Sequence, residues 1–466
     1  MILSVIKKLF PAILLGMDTI CFYLIYYLIT TLRTGSSVNF FDADQILFTM
    51  VACNAIAVYL VGGFEYQKLE RSARFVSEHI LASIIGAIFS LFVILLFVSY
   101  DDRVGTNRTS LVGTFILFSF YSIFCRSLIG QIKSKRKKAK CTVIIGINEY
   151  TFDLVKEIVD QGFKEKIYIV DYNVSEEVEK QFISIGAEIL DYNSFHPEDT
   201  TYENRTINKI ILAAPMNQLI LDKRFKEKLI RRHLQKNDTL SMENFFLSEF
   251  RYVPIKLVDD SWPFEQGFRI TKNLAYAHAK RTIDILLSLI VLILASPAIL
   301  ISMFAVKLTS KGPVFFKQSR IGAKETPFKL FKLRTMQMGS DKKGDYTQEN
   351  DPRITPIGNF LRKSRLDELP QLFNVIKGDM SLIGPRAEWD KLVKTYEKEI
   401  PHYHLRHISK PGITGWAQVN YPYGANLEDT INKLKYDLYY VRYYSLTMDL
   451  TIIIKTAYTM LFGRGR

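Results

Sequence analysis

The chain has 466 residues, a formal net charge of +14, and 48% hydrophobic residues. That length allows two or three domains. The apolar residues gather into long runs, which excludes an ordinary soluble globule and points to a membrane protein. The basic excess then suits an anionic membrane surface or phosphate-bearing substrates, and turns the reading away from nucleic acid. The four cysteines, Cys21, Cys53, Cys125 and Cys141, have no metal-site spacing. They read as small buried hydrophobes in a reduced setting.

Four apolar segments, near 11–32, 46–64, 77–100 and 110–130, come close to the ~20 helical residues that cross a hydrocarbon core. They predict a four-helix transmembrane domain over 1–132. No small-residue cleavage site follows the first run, so it is expected to remain as a helix rather than leave as a signal peptide. Basic residues alternate by loop. Lys7 and Lys8 precede the first segment, and only Arg33 follows it. Lys68, Arg71 and Arg74 follow the second, and Arg103 and Arg108, beside Asp101 and Asp102, follow the third. "KSKRKKAK" at 133–140 follows the fourth. The positive-inside rule places the N-terminus, the 65–76 loop and everything after residue 133 in the cytoplasm.

Residues 133–240 predict a Rossmann-like α/β domain. "CTVIIGINEY" (141–150) is a buried-strand run ending in Gly146, and "KIYIVDYN" and "INKIILAAP" supply further strands between helical stretches. That alternation implies a parallel sheet. A dinucleotide fingerprint needs glycine where Asn148 stands, so that the backbone can approach a pyrophosphate. Asp171 ends the next strand, where a ribose-binding acid sits. One glycine and one acid leave both readings open: a degenerate structural or regulatory domain, and a nucleotide site. Residues 241–277 are expected to link this domain to the last one.

A fifth apolar run, "TIDILLSLIVLILASPAILISMFAVKL" (282–308), is long enough to span. Lys280 and Arg281 flank its start, and Lys307, Lys311 and Lys317 its end, so both ends prefer the cytoplasm. Pro297 removes a helix hydrogen bond and bends the helix, and Ser296 can satisfy a freed carbonyl. Two structures are compatible with this pattern: a helix–break–helix that enters and leaves on one face, or a kinked span. The basic flanks favour the first.

The catalytic domain is expected over 278–466. After the hairpin come "GPVFFKQSRIG" (312–322), "FKLFKLRTM" (328–336), "NDPRITPIGNFLRKSRLDELPQLFNVIKGDMSLIGPR" (350–386) and "KPGITGWAQV" (410–419). These motifs, in this order, resemble the polyprenyl-phosphate sugar-1-phosphate transferases, also called monotopic phosphoglycosyl transferases. "GWAQVNYPYGANLEDTINKLKYDLYYV" is similar to their exopolysaccharide branch, and the N-terminal helices and degenerate nucleotide fold look like its long-form members. Ala387 departs from the family's usual proline after Gly-Pro-Arg.

The resemblance implies transfer of a hexose 1-phosphate from a UDP-sugar to undecaprenyl phosphate at a bacterial inner membrane, with UMP leaving. Such a step initiates exopolysaccharide, capsule or O-antigen repeat units. It implies Asp367 as nucleophile, Mg²⁺ as cofactor, a Ser-Pro re-entrant hairpin at Ser296 and Pro297, and a cytoplasmic catalytic domain among membrane lipids. A homodimer is compatible with the long form.

The residues support that chemistry by themselves. In "RLDELPQLFN" the acids Asp367 and Glu368 are neighbours, and Asp367 is expected to cap a helix over 368–377 that ends at Gly378. A helix start favours phosphate. One carboxylate can attack phosphorus, and the pair can hold Mg²⁺. Phosphoryl transfer needs charge neutralisation, which Lys332, Arg334, Arg362, Arg365 and Arg386 offer. Gln318 and Arg320 match a family motif as supporting residues, and Asp437 matches an acid position near the site.

"HYHLRH" (402–407) holds three histidines and could suggest a metal, but no carboxylate or cysteine is expected to complete a recognisable site. "SLTMDLTIIIKTAYTMLFGRGR" reads as an interfacial helix on anionic lipid, or as a core helix. Two rivals stand beside the transferase: a non-catalytic membrane scaffold for polysaccharide assembly, and a membrane-tethered nucleotide-sugar dehydratase or epimerase. The second needs an intact glycine turn and a helical Tyr-x-x-x-Lys pair. Tyr252–Lys256 contains Pro254, and Tyr276–Lys280 runs into the apolar hairpin.

Overall fold

A computed structural model describes residues 2–34, 44–64, 73–97, 108–135, 139–172, 174–259, 261–264, 274–340, 351–421, 424 and 426–461. The basic loops behind the topology argument lie largely outside these. The chain divides into two compact units, 1–136 with 445–466, and 137–444.

Among the described residues, the first part of the first unit holds α1 (Ile2–Thr34), α2 (Asp44–Leu60), α3 (Ala73–Phe97) and α4 (Arg108–Lys135). Among the described residues, Leu9–Arg33 and Thr109–Gln131 are long and apolar enough to cross a membrane, and Gln45–Leu60 and Ala82–Ile94 are shorter apolar helices. Phe22 and Tyr26 pack with Leu47, Met50, Phe115 and Phe118. The apolar pattern of the sequence hides one feature of this bundle. Arg126 is fully buried, bonds Asp18 at 2.6 Å and donates to the Gly63 carbonyl at 3.0 Å. A buried charge persists only when paired in this way.

The second unit begins with β1 (Lys140–Ile145), α5 (Thr151–Asp160), β2 (Lys166–Asp171), α6 (Glu176–Ser184), β3 (Ala187–Asp191), β4 (Thr201–Tyr202), β5 (Arg205–Leu212), α7 (Lys223–Lys236), β6 (Thr239–Ser241) and α8 (Met242–Glu249). The sheet runs parallel in the order β3-β2-β1-β5-β6, with β4 antiparallel to β5. Strand alternation divides β1 between two cores, Ile144 on one side and Cys141, Val143 and Ile145 on the other.

The Gly146 turn is left-handed (φ +87), and a Cβ there would meet the Leu219 side chain at 2.3 Å. Asn148 fills the turn. Its Nδ2 donates to the Ala213 carbonyl at 2.9 Å, and its Oδ1 accepts from Tyr150 N at 3.0 Å and Thr151 Oγ1 at 2.8 Å. These bonds occupy the backbone that a pyrophosphate would approach. Asp171 Oδ1 accepts from Tyr172 N at 2.7 Å.

The expected linker is, in its first part, core. Phe245 and Phe246 of α8 are fully buried, and Trp262 packs with Val393, Tyr396 and Leu434 from the last third of the chain. Short aromatic stretches with no clear period hide that role in the sequence.

The next helix, α9 (Leu274–Thr309), is 36 residues long with Pro297 inside it. The expected break is therefore not an interruption of the helix. The carbonyl that Pro297 deprives of its donor is that of Ile293, and Ser296 Oγ donates to it at 2.8 Å. Tyr276–Thr309 is the third stretch long and apolar enough to cross a membrane. Both of its ends are tied to elements later in the chain. Arg281 donates to the carbonyls of Val375 and Ile376, and Asp284 accepts from Leu382 N at 3.2 Å. At the other end Val306 packs with Leu333 and Leu361.

The remaining elements are the hairpin β7 (Phe315–Ile321) and β8 (Pro327–Leu333), α10 (Pro356–Ser364), α11 (Gln371–Lys377), β9 (Ser381–Ile383), α12 (Asp390–Glu399), β10 (Gly412–Thr414), α13 (Trp416–Asn420), α14 (Leu427–Tyr443) and α15 (Leu446–Leu461). α15 belongs to the first unit, where Ile454 and Tyr458 pack with Leu60, Val61 and Ile85. The apolar C-terminal stretch thus finds protein on one face, where the sequence pattern favours lipid.

Candidate active site

α10 opens at Thr355, whose Oγ1 accepts from Gly358 N at 3.0 Å, and closes at Arg365, a left-handed residue with φ 58. That residue turns the chain into one 3-10 turn, Leu366–Glu368, ahead of α11. Asp367 therefore does not cap a helix as expected. α11 starts at Gln371 behind Pro370, and Asp367 sits in the turn before it. The helix does end at Gly378, with φ +103.

The two acids have opposite surroundings. Asp367 is 7% exposed, and its Oδ1 has no hydrogen-bond partner. Glu368 Oε1 accepts from Lys332 Nζ at 2.8 Å and Arg386 Nη2 at 3.1 Å, and Oε2 faces Arg365 Nη1 at 3.9 Å. Burial pushes the Asp367 carboxyl above the usual range, the Glu368 charge pushes the same way, and Lys332, Arg362 and Arg365 oppose them. Burial also pushes Glu368 up, but Lys332, Arg386 and Arg365 outweigh it and hold that carboxyl well below the usual range. At neutral pH Glu368 is thus an anion paired with cations through Oε1, its Oε2 facing Arg365 beyond hydrogen-bond reach, and Asp367 keeps an uncommitted oxygen beside them.

Backbone packing fixes Arg386. A Cβ at Gly384 would lie 2.2 Å from the Lys410 carbonyl, and one at Gly412 would lie 2.1 Å from Gly384 N. Only glycine allows β9 and β10 to meet this closely beside the arginine. The Arg386 carbonyl accepts from Arg406 Nη2 at 2.9 Å, which also donates to Asp437 Oδ2 at 2.7 Å. Asp437 thus reaches the site through Arg406, as a positioning residue. Burial pushes its carboxyl up to about 6 against the opposing pull of Arg406.

The other expected residues divide. Arg362 Nε donates to Thr335 Oγ1 at 2.9 Å and still acts on Asp367. Arg320 Nη1 donates to the Ala387 carbonyl at 2.9 Å, so at the departing position it is the backbone that is used. Gln318 pairs with Leu330 across the hairpin. Arg334 is turned elsewhere: it donates to the Ser310 carbonyl at 2.8 Å, to Ser310 Oγ at 2.7 Å and to the Lys311 carbonyl at 2.9 Å. It joins β8 to the end of α9.

Two site residues are not evident from the sequence, Arg406 and Asn374. Asn374 is fully buried, donates to the Lys329 carbonyl at 2.7 Å and accepts from Phe331 N at 3.1 Å, pinning α11 to β8. A lone amide inside the apolar helix "QLFNVIK" is its signal.

Magnesium fits this donor set. It binds through few carboxylates plus phosphate oxygens. Asp367 Oδ1 is an orphaned acceptor, whereas Glu368 offers only Oε2, faced by Arg365.

The bacterial sugar transferase family profile matches residues 275–463. A UDP-N-acetylgalactosamine-undecaprenyl-phosphate N-acetylgalactosaminephosphotransferase of Aeromonas hydrophila is 47% identical over 191 residues, which is 41% of this chain and 45% of that protein. A UDP-glucose:undecaprenyl-phosphate glucose-1-phosphate transferase of Escherichia coli is 44% identical over 182 residues, 38% of this chain and 39% of that protein. The chain thus matches less than half the length of these two relatives. An uncharacterized sugar transferase of Haemophilus influenzae is 30% identical over 407 residues, 82% of this chain and 81% of that protein.

Proposed function

The chain belongs to the bacterial sugar transferase family, and from this we propose that it transfers a sugar 1-phosphate from a UDP-sugar to undecaprenyl phosphate. One observation carries the reading. A buried carboxylate oxygen of Asp367 stands without a partner beside a cation cluster held by Glu368.

In the first step an Asp367 oxygen attacks the phosphorus that bears the sugar. The bond from that phosphorus to the UMP oxygen breaks, and UMP leaves. In the second step an oxygen of the lipid phosphate attacks the same phosphorus and frees Asp367. Burial raises the nucleophile's basicity, and Lys332, Arg365 and Arg386 neutralise the charge gathering on the phosphoryl oxygens. Glu368 keeps those cations in place. Mg²⁺, where bound, would be held by Asp367 and Glu368 and would supply further neutralisation of the pyrophosphate.

The substrates come from two phases, a cytoplasmic UDP-sugar and a membrane lipid phosphate. A re-entrant α9, at the inner face of a bacterial cytoplasmic membrane, brings them together. A straight helix of 36 residues measures about 54 Å, well beyond the ~30 Å hydrocarbon core. Its start is tied to α11 and its end to β8 and α10, elements of one compact unit. These ties support entry and exit on one side.

The dehydratase rival loses its pair. Tyr252 donates to Glu157 at 2.8 Å and Lys256 is bonded to Asp153, so neither faces a common substrate.

The test is UMP release from a panel of UDP-sugars with undecaprenyl phosphate, which also assigns the sugar. Asp367→Asn is expected to lose at least ~1,000-fold, as covalent nucleophiles do. Mass spectrometry of the intact wild type is expected to trap the sugar phosphate on the protein, and the Asn variant to trap none. Near-normal turnover of Asp367→Asn would overturn the reading, and no UMP release with any sugar would favour the scaffold.

A further inference from the structure

Away from the paired acids, three donor groups from separate elements converge. Glu325 comes from the turn between β7 and β8, Glu397 from the last turn of α12, and His407 from the 3-10 segment Tyr403–Ile408. One ligand atom from each lies within 4.8 Å of the others. The glutamates are exposed, but His407 is 7% exposed, and its Nδ1 has no hydrogen-bond partner.

That nitrogen lies 3.9 Å from Glu397 Oε1, beyond hydrogen-bond reach. Burial first, and Arg406 second, hold the imidazole down at about 3, so it is neutral at physiological pH and no ion pair forms. A buried polar atom left without a partner carries an uncompensated desolvation cost. Among the described residues His407 Nδ1 has no partner, and a divalent cation would satisfy it together with both carboxylates.

We propose that Glu325, Glu397 and His407 bind a divalent transition-metal ion of the zinc class. Mixed imidazole and carboxylate donors suit zinc, whereas magnesium prefers oxygen alone. Ligand bonds at such a site are ~2.0–2.2 Å long, and the two exposed glutamates are the adjustable members of the set. None of these residues belongs to the acid–cation cluster, and each is within one compact unit. The ion would staple the hairpin that carries Lys332 to the segment that carries Arg406. The "HYHLRH" motif is completed by Glu397, just before it in the chain, and by Glu325, which only the fold brings near.

The test uses the full-length protein in detergent, stripped with chelator and titrated with Zn²⁺ alone. Wild type is expected to retain one zinc per chain after desalting, by elemental mass spectrometry, and excess Mg²⁺ is not expected to displace it. Co²⁺ in its place is expected to give the visible bands of a low-coordinate N/O site. In Glu325→Gln/Glu397→Gln the Kd for zinc is expected to rise more than ~10-fold, the least that loss of a supporting group costs a metal site. Both glutamates are exposed, so this variant should keep the metal-free Tm while losing the rise that zinc gives wild type. Asp367→Asn is expected to keep its zinc. Equal zinc retention by wild type and the double variant, or displacement by Mg²⁺, would overturn the proposal.

Discussion

Arg365 is where backbone and charge meet. Its left-handed φ of 58 sets the turn that presents the acids, and its guanidinium pulls the Asp367 carboxyl down against burial. A non-glycine residue pays about 1–2 kcal/mol in that region. Arg365→Gly should therefore leave folding stability unchanged or higher. It also removes a charge that favours ionised Asp367, so the Asp367 pKa rises further and the acid limb of kcat/KM for UMP release is expected to move to higher pH. Stability runs the other way. A carboxyl whose folded pKa lies above its unfolded value takes its proton first in the folded state, so falling pH stabilises the fold through Asp367 while the nucleophile is lost. A pH–rate profile with an unmoved acid limb would show that Asp367 ionisation does not limit the reaction. Asp367, Glu368, Lys332 and Arg386 were legible as a motif. The destination of Arg334 was not: it depends on Ser310 and Lys311, which local pattern cannot connect to it.

At the scale of elements, α9 sets the clearest conflict between local and tertiary demands. Its apolar run and Pro297 were legible in the sequence. The uninterrupted helix was not, because Ser296 repairs the carbonyl that Pro297 orphans. A proline bends a helix, and a serine bond of this kind lowers the cost of that bend. Pro297→Leu restores the missing donor and favours a straight rod. That variant is expected to place part of its population across the membrane and to lose UMP release. Single cysteines at 279 and 311, probed with an impermeant thiol reagent in oriented cells, are expected on the same side in wild type and on opposite sides in part of the variant. Opposite-side labelling of wild type would exclude re-entry. Arg334 gives a second handle on the same element. It makes three bonds to the end of α9, and charged donors contribute about 1.5–3 kcal/mol each. Arg334→Met is expected to lower Tm by several degrees, read by thermal melts in detergent, and Arg334→Lys to recover only part of it, because lysine lacks the planar fork.

At the scale of the whole molecule, the α/β domain and the last third of residues 137–444 share one compact unit rather than meeting through a linker. The strands of the α/β domain were legible from apolar runs, as were the first and fourth membrane helices. Their joining was not, because it uses pairs far apart in sequence. Val253 N donates to the Lys435 carbonyl at 3.0 Å, Trp416 Nε1 donates to the Arg251 carbonyl at 2.8 Å, and Lys435 bonds Glu157 at 2.5 Å. Arg442 bonds Glu243 and lies 5.2 Å over the Trp262 ring. Two of the three tryptophans thus sit on this junction and report on it. Phe246 is fully buried in the α/β core beside Tyr252, and Tyr252 stacks edge-on to Tyr436 of α14 at 5.2 Å. Phe246→Ala removes packing worth about 3–5 kcal/mol. If the two parts fold as one body, this change is expected to lower the midpoint of the tryptophan fluorescence transition and of the loss of UMP release together. If they fold separately, fluorescence and activity would lose their midpoints at different temperatures, and the α/β domain would be a passenger on the catalytic part rather than a support for Arg442 and Trp416.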